Sequence, residues 1–261
     1  MTTIVHPPEA RARGRTPRRG TVALTLARAE LPRLLRHPGV LLGLASAILL
    51  VVTAGPWGGE PGDPVIEHLT WGLGMFPVPV AVAFALLGSR SKRNDTVEVE
   101  DATPGSERGR HAALVWLTVV PAFLALLVGL TAGALAELLD VGKDGMFIGP
   151  VAAGSLVVLG QTAVAAAAIC CFALAAGTWL PHWTTAALMV VVVLQGADTP
   201  FHPGAWDTTH PVGSLLWHLA YGIGIALILA AAALLRHRRD MVVVLMASSG
   251  LVISIAAGIG Q

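Results

Sequence analysis

Charge is scarce in this sequence. Only 13% of its residues are Asp, Glu, Lys or Arg, about half the share of an ordinary soluble domain. Apolar residues make up 54%, and the mean hydropathy is +0.71. The apolar runs are too long and too uncharged to be the core of one soluble domain of 261 residues. Cysteine is nearly missing as well. The two present, Cys170 and Cys171, are adjacent. On a helix their side chains diverge by about 100°, which disfavours an intrahelical disulfide and favours small packing residues. The phosphate-binding pattern GxxxxGK[ST] is absent, so the chain does not bind ATP through a P-loop. The zinc pattern HExxH is absent too. No long apolar run has Asp or Glu near its centre. The buried carboxylate of a proton-coupled carrier is therefore lacking, and transport by this chain would need an outside energy source.

The few charges are sharply partitioned. Sixteen of the 17 Lys and Arg residues fall in three clusters. Segment 1–38 holds Arg11, Arg13, Arg15, Arg18, Arg19, Arg28, Arg33 and Arg36. Loop 89–111 holds Arg90, Lys92, Arg93, Arg108 and Arg110, and a hinge holds Arg236, Arg238 and Arg239. Only Lys143 lies elsewhere. Basic loops resist translocation, so the clusters place one side of the protein in the cytoplasm, N-terminus included. The reading is a multi-pass protein of the inner or plasma membrane. Its fold class is all-α: a polytopic helix bundle of six or seven transmembrane helices with an N-terminal amphipathic interfacial helix. The basic tail needs no partner beyond lipid headgroups, and no nucleic acid is expected.

Along the chain, residues 1–20 are rich in Pro and Arg, with no apolar core, and read as a disordered basic tail without a cleavable signal. Residues 21–37 alternate leucines with arginines and read as the interfacial helix, bent or interrupted at Pro32. The bundle occupies 38–261. Crossing a bilayer takes about 20 helical residues. Spans are expected at 39–57, 67–88, 112–136, 149–177, 183–197 and 213–235, with a seventh apolar stretch at 241–259. Pro77 and Pro79 predict a kink in the second. Gly129 and Gly133 form a GxxxG in the third, and Gly222, Gly224 and Gly250 offer similar close approaches.

Polar residues inside the spans are few: Gln161, Thr162, Gln195 and His218. Each has two readings, a wall of a translocation path or an interhelical hydrogen bond that fixes packing. Ser155 with His218 is the one pair suggestive of an intramembrane protease, and nothing near Ser155 would activate it. His202, Asp207 and His210 share a loop without a metal-binding pattern. No catalytic, cofactor or metal residue is assigned, and the chain is not read as an enzyme.

Loop 89–111 carries the best local signal. Five acids, Asp95, Glu98, Glu100, Asp101 and Glu107, mix with five bases. The acidic stretch is followed by Thr103-Pro104-Gly105, then by Arg108 and Arg110 at the start of the third span. In this layout the chain resembles the permease subunits of type-2 ABC exporters. The resemblance implies an elbow helix before the first span and a coupling helix within loop 89–111. Asp95, Glu98, Glu100, Asp101, Pro104 and Arg108 would contact a separate ATP-binding cassette subunit. ATP would be bound by that partner and no cofactor by this chain. The resemblance also implies a homodimer or heterodimer of permease subunits, since one small bundle forms half a path. The seventh stretch departs from the usual six-span pattern. The competing readings are a membrane-embedded enzyme acting on a lipid-linked substrate, and a non-transporting scaffold or sensor. The first wants a cluster of acid, His or Arg at one membrane depth, which the sequence lacks.

Overall fold

Proline decides where these helices break, and small residues decide how closely they pack. The computed structural model describes residues 19–54, 65–90, 107–139, 152–180, 188, 211–236 and 240–260. Among them, nine helices follow one another and there is no strand. They are α1 (Arg19–Leu35), α2 (Pro38–Ala54), α3 (Val65–Gly74), α4 (Pro77–Gly88), α5 (Glu107–Leu117), α6 (Val119–Leu138), α7 (Ala152–Trp179), α8 (Val212–Leu235) and α9 (Met241–Gly260). Among the described residues, four stretches are long and apolar enough to cross a membrane: Gly109–Leu138, Ala152–Trp179, Val212–Leu235 and Met241–Ile259. A fifth is counted if α1 and α2, bent by 60° at their junction, form one span. This is the architecture of a multi-pass membrane protein.

α1 starts two residues earlier than the sequence suggests and continues through Pro32. It stops at Arg36–His37, where the His37 N–H bonds the Leu34 carbonyl at 2.9 Å. Pro38 then opens α2 with the fixed φ suited to a first helical turn. The expected second span is two helices. Pro77 and Pro79 bring no N–H, and the break closes with short-range bonds, Phe76 N–H to Leu73 O at 3.1 Å and Val78 N–H to Met75 O at 3.3 Å. The third span also breaks, at Thr118, three residues before the buried Pro121. Apart from Leu188, the fifth expected span, 183–197, lies outside the described residues, as does the tail 1–18.

Side-chain contacts fix the direction of each helix. Val51 meets Gly72 while Gly39 meets Pro79 and Ala83, so α2 runs antiparallel to α3 and α4. Gly129 meets Leu159 while Thr118 meets Cys171, so α6 is antiparallel to α7. α7 and α8 are parallel: Gln161 reaches Leu215, Val164 meets Gly222, and Trp179 reaches Ala232. The connection from Leu180 to Pro211 therefore starts at one end of the bundle and finishes at the other. α9 returns antiparallel along α8, with Gly224 and Gly250 each facing the other's carbonyl oxygen. A Cβ on Gly250 would lie 2.6 Å from Gly224 O, and one on Gly224 would lie 2.7 Å from Gly250 O. Backbones approach this closely only where side chains are absent.

The core is built around α7, with Leu69 and Leu73 of α3, Phe76 at the break, and Val80 and Phe84 of α4 packed among Val158, Leu159, Cys170 and Leu174. The expected GxxxG of the third span works differently from a backbone contact. Gly129 is filled by the Leu159 side chain, with Leu73 beside it. The close backbone approach lies elsewhere, where Gly88 and Gly177 bring α4 against α7.

Candidate functional site

The candidate residues fall in two places, the α7–α8 seam and one end of the bundle. At the seam, Gln161 is buried on α7. Its Nε2 donates to the Leu215 carbonyl at 2.8 Å, in the first turn of α8. Its Oε1 is buried without a hydrogen-bond partner among the described residues. His218, one turn further along α8, is buried, its ring centroid 6.5 Å from that of Tyr221. Thr162 returns its hydroxyl to its own helix, donating to Val158 O at 3.0 Å. So Gln161 ties two helices, Thr162 serves one, and His218 shares the α8 end that Gln161 holds. Gln195 lies outside the described residues. Ser155 is buried on α7.

A small second core locates the charged end. Ala23 of α1, Ala112 of α5, Ala231 and Leu234 of α8 and Val243 of α9 form one cluster. The start of α1, the start of α5, the end of α8 and the start of α9 therefore meet. Gly88 and Gly177 bring the ends of α4 and α7 to the same level. Arg28, Arg33, Arg36, Arg90, Arg110 and Arg236 are thereby gathered at one end of the bundle. Arg236 donates from Nη1 to the carbonyl of Thr178, closing the carboxyl end of α7 at 2.5 Å. In return, Trp179 Nε1 donates to Ala232 O at 2.9 Å. Two parallel helices are thus latched twice at their ends, a device the apolar sequence around these residues does not announce.

At the α1–α2 joint, His37 Nδ1 accepts the Gly39 N–H at 3.1 Å. Partial burial pushes its imidazole below the ordinary histidine range. Deeper in the bundle, Cys171 Sγ donates to Thr118 Oγ1 at 3.2 Å, and Thr118 donates to Val115 O at 2.7 Å. Both thiols are free and buried, as expected for packing residues. The cysteine reading missed only that Cys171 tethers the break in the third span.

The coupling-loop candidates Asp95, Glu98, Glu100, Asp101 and Pro104 lie outside the described residues. Arg108 falls in the first turn of α5, so the loop enters the third span directly. Among the described residues, no group of three His, Cys, Asp or Glu is placed to hold a metal. Comparison with protein families, with curated proteins and with solved structures finds no match.

Proposed function

We propose that the chain is the transmembrane permease subunit of an ABC-type exporter, driven by ATP hydrolysed on a separate subunit. In this reading the basic end is cytoplasmic, α1 lies in the interface, and the chain crosses six or seven times. Two copies, or two related chains, enclose the path. The observation that carries the reading is the junction of α1 with α5. A charged cytoplasmic loop, 89–111, runs into α5, and α5 packs on a helix set at 60° to the first span. A push on Asp95, Glu98, Glu100, Asp101, Pro104 and Arg108 would move α5, with α1 and the start of α9 attached to it. The break at Thr118 would let α5 move relative to α6. Two features support an external energy source: no carboxylate lies in the interior of α2, α4, α6, α7, α8 or α9, and the chain has no P-loop.

The test is co-purification under gentle solubilisation. The wild-type chain is expected to bring an ATPase subunit with it. A chain lacking 97–103 should insert normally and lose that subunit, and Glu98→Arg should weaken the contact by placing like charges together. Equal retention by wild type and deletion moves the contact elsewhere. No ATPase with the wild type removes the exporter reading.

A further inference from the structure

The arginines of the charged end are not equivalent. Arg33 is paired with Glu30 at 2.9 Å. Arg236 is held on the Thr178 carbonyl. The guanidinium groups of Arg28 and Arg36 are exposed and make no ion pair or hydrogen bond among the described residues. Their placement on α1 follows from a turn of about 100° per residue. Ala23, Ala27 and Leu34 form the face buried against the bundle. Leu24 and Leu35, 43% and 38% exposed, lie roughly a quarter-turn to one side. Arg28 borders these leucines, and Arg36 lies almost opposite the buried face. The helix thus has a protein face, an apolar flank and an outward cationic side.

We infer that Arg28 and Arg36 form a two-point contact for anionic lipid headgroups, with Leu24 and Leu35 in the acyl region beneath. Three observations select lipid over other anions. An acidic soluble protein would leave the leucine flank in water, whereas a membrane covers it. Arg28 and Arg36 are about 12 Å apart along the helix axis, a separation that suits two neighbouring headgroups. The 60° bend between α1 and α2 turns α1 away from the direction of α2, so that α1 leans toward the surface of a membrane that α2 enters. Long arginine side chains reach from an apolar flank to the headgroup level. The inference rests on the membrane-spanning reading and is independent of any ATPase partner.

The full chain tests it in nanodiscs of phosphatidylcholine, with Cys170 and Cys171 replaced by alanine and a bimane fluorophore on Leu24→Cys. Quenching by spin-labelled phosphatidylglycerol is compared with quenching by spin-labelled phosphatidylcholine at equal mole fraction. The phosphatidylglycerol probe should quench more strongly, with a preference of up to about fivefold per arginine. The preference should shrink in high salt and persist in added inorganic phosphate. Arg28→Gln with Arg36→Gln should bring the two probes to parity. Arg28→Lys with Arg36→Lys should keep the preference, and Arg33→Gln should leave it untouched. Parity in the wild type, a preference surviving the double glutamine variant, loss of the preference to inorganic phosphate, or no quenching by either lipid would each overturn the inference. The exporter reading fails separately, by absence of a co-purifying ATPase.

Discussion

Arg236 closes the end of a helix to which it does not belong. Removing its charge with Arg236→Gln leaves the Thr178 carbonyl short of its strongest donor and should cost about 1–2 kcal/mol, less at high salt. Thermal melting followed by tryptophan fluorescence in detergent measures it, and an unchanged midpoint would refute the latch. Glycines separate into two kinds. Gly250 faces the Gly224 carbonyl, and Gly250→Leu should destabilise the α8–α9 pair by about 1–3 kcal/mol. Gly213 has nothing within 4 Å of a Cβ, so Gly213→Ala should be neutral or stabilising by up to about 1 kcal/mol. His37 makes the joint sensitive to pH. Its folded-state pKa lies below the ordinary value of 6.5, so the opened joint binds a proton more readily. The stabilisation is complete above 6.5 and is lost as pH falls toward the depressed pKa, when protonated Nδ1 can no longer accept the Gly39 N–H. Hydrogen exchange at Gly39 should quicken on acidification from neutral pH. In His37→Asn, whose side-chain oxygen accepts without titrating, the pH response should vanish.

Among the elements, the third span has the most distinctive construction. Pro121 supplies no donor for the Leu117 carbonyl, and Thr118 sits at the break, tied to Cys171. Pro121→Ala restores the missing donor. Spin labels at the exposed positions Trp116 and Leu130 should then give a narrower distance distribution than in the wild type. Equal widths would mean that the break is not a hinge. The third, fourth and sixth spans and the seventh stretch were legible because runs of apolar residues need no neighbour to identify them. Met241–Ile259, read as a departure from a six-span pattern, is a membrane-length helix laid antiparallel along α8. Helix faces were not legible. In lipid both sides of a helix are apolar, so α7 gives no periodic clue to the face that meets α8 or α4. The GxxxG at Gly129 illustrates the loss, since its neighbour is a leucine side chain. α1, which carries charged residues among its leucines, does have a periodic pattern. Even there, Leu26, Leu31 and Leu34 pack inward, and only Leu24 and Leu35 are exposed. Of the site residues, Gln161 is buried on α7 and bonds across to α8. Its partner is a backbone carbonyl 54 residues away, which no side-chain pattern could signal.

For the whole molecule, the gathering of arginines at one end agrees with their clustering in the sequence. A membrane-impermeant thiol reagent should reach cysteines placed at 93 and 238 only from inside the cell and one placed at 261 only from outside, because α9 runs back along α8. Labelling of 238 and 261 from the same side would contradict a crossing by α9. The parallel pairing of α7 with α8 also sets a clock on biosynthesis. The partners that close α7 are made late: Leu215 follows Gln161 by 54 residues, and Arg236 follows Thr178 by 58. At about 5–20 residues per second, nascent α7 waits roughly 3–12 s for the contacts that Leu215 and Arg236 supply. A chain stopped before α8 would leave the Gln161 amide without the Leu215 carbonyl, and membrane quality control would meet a polar defect on an otherwise apolar helix.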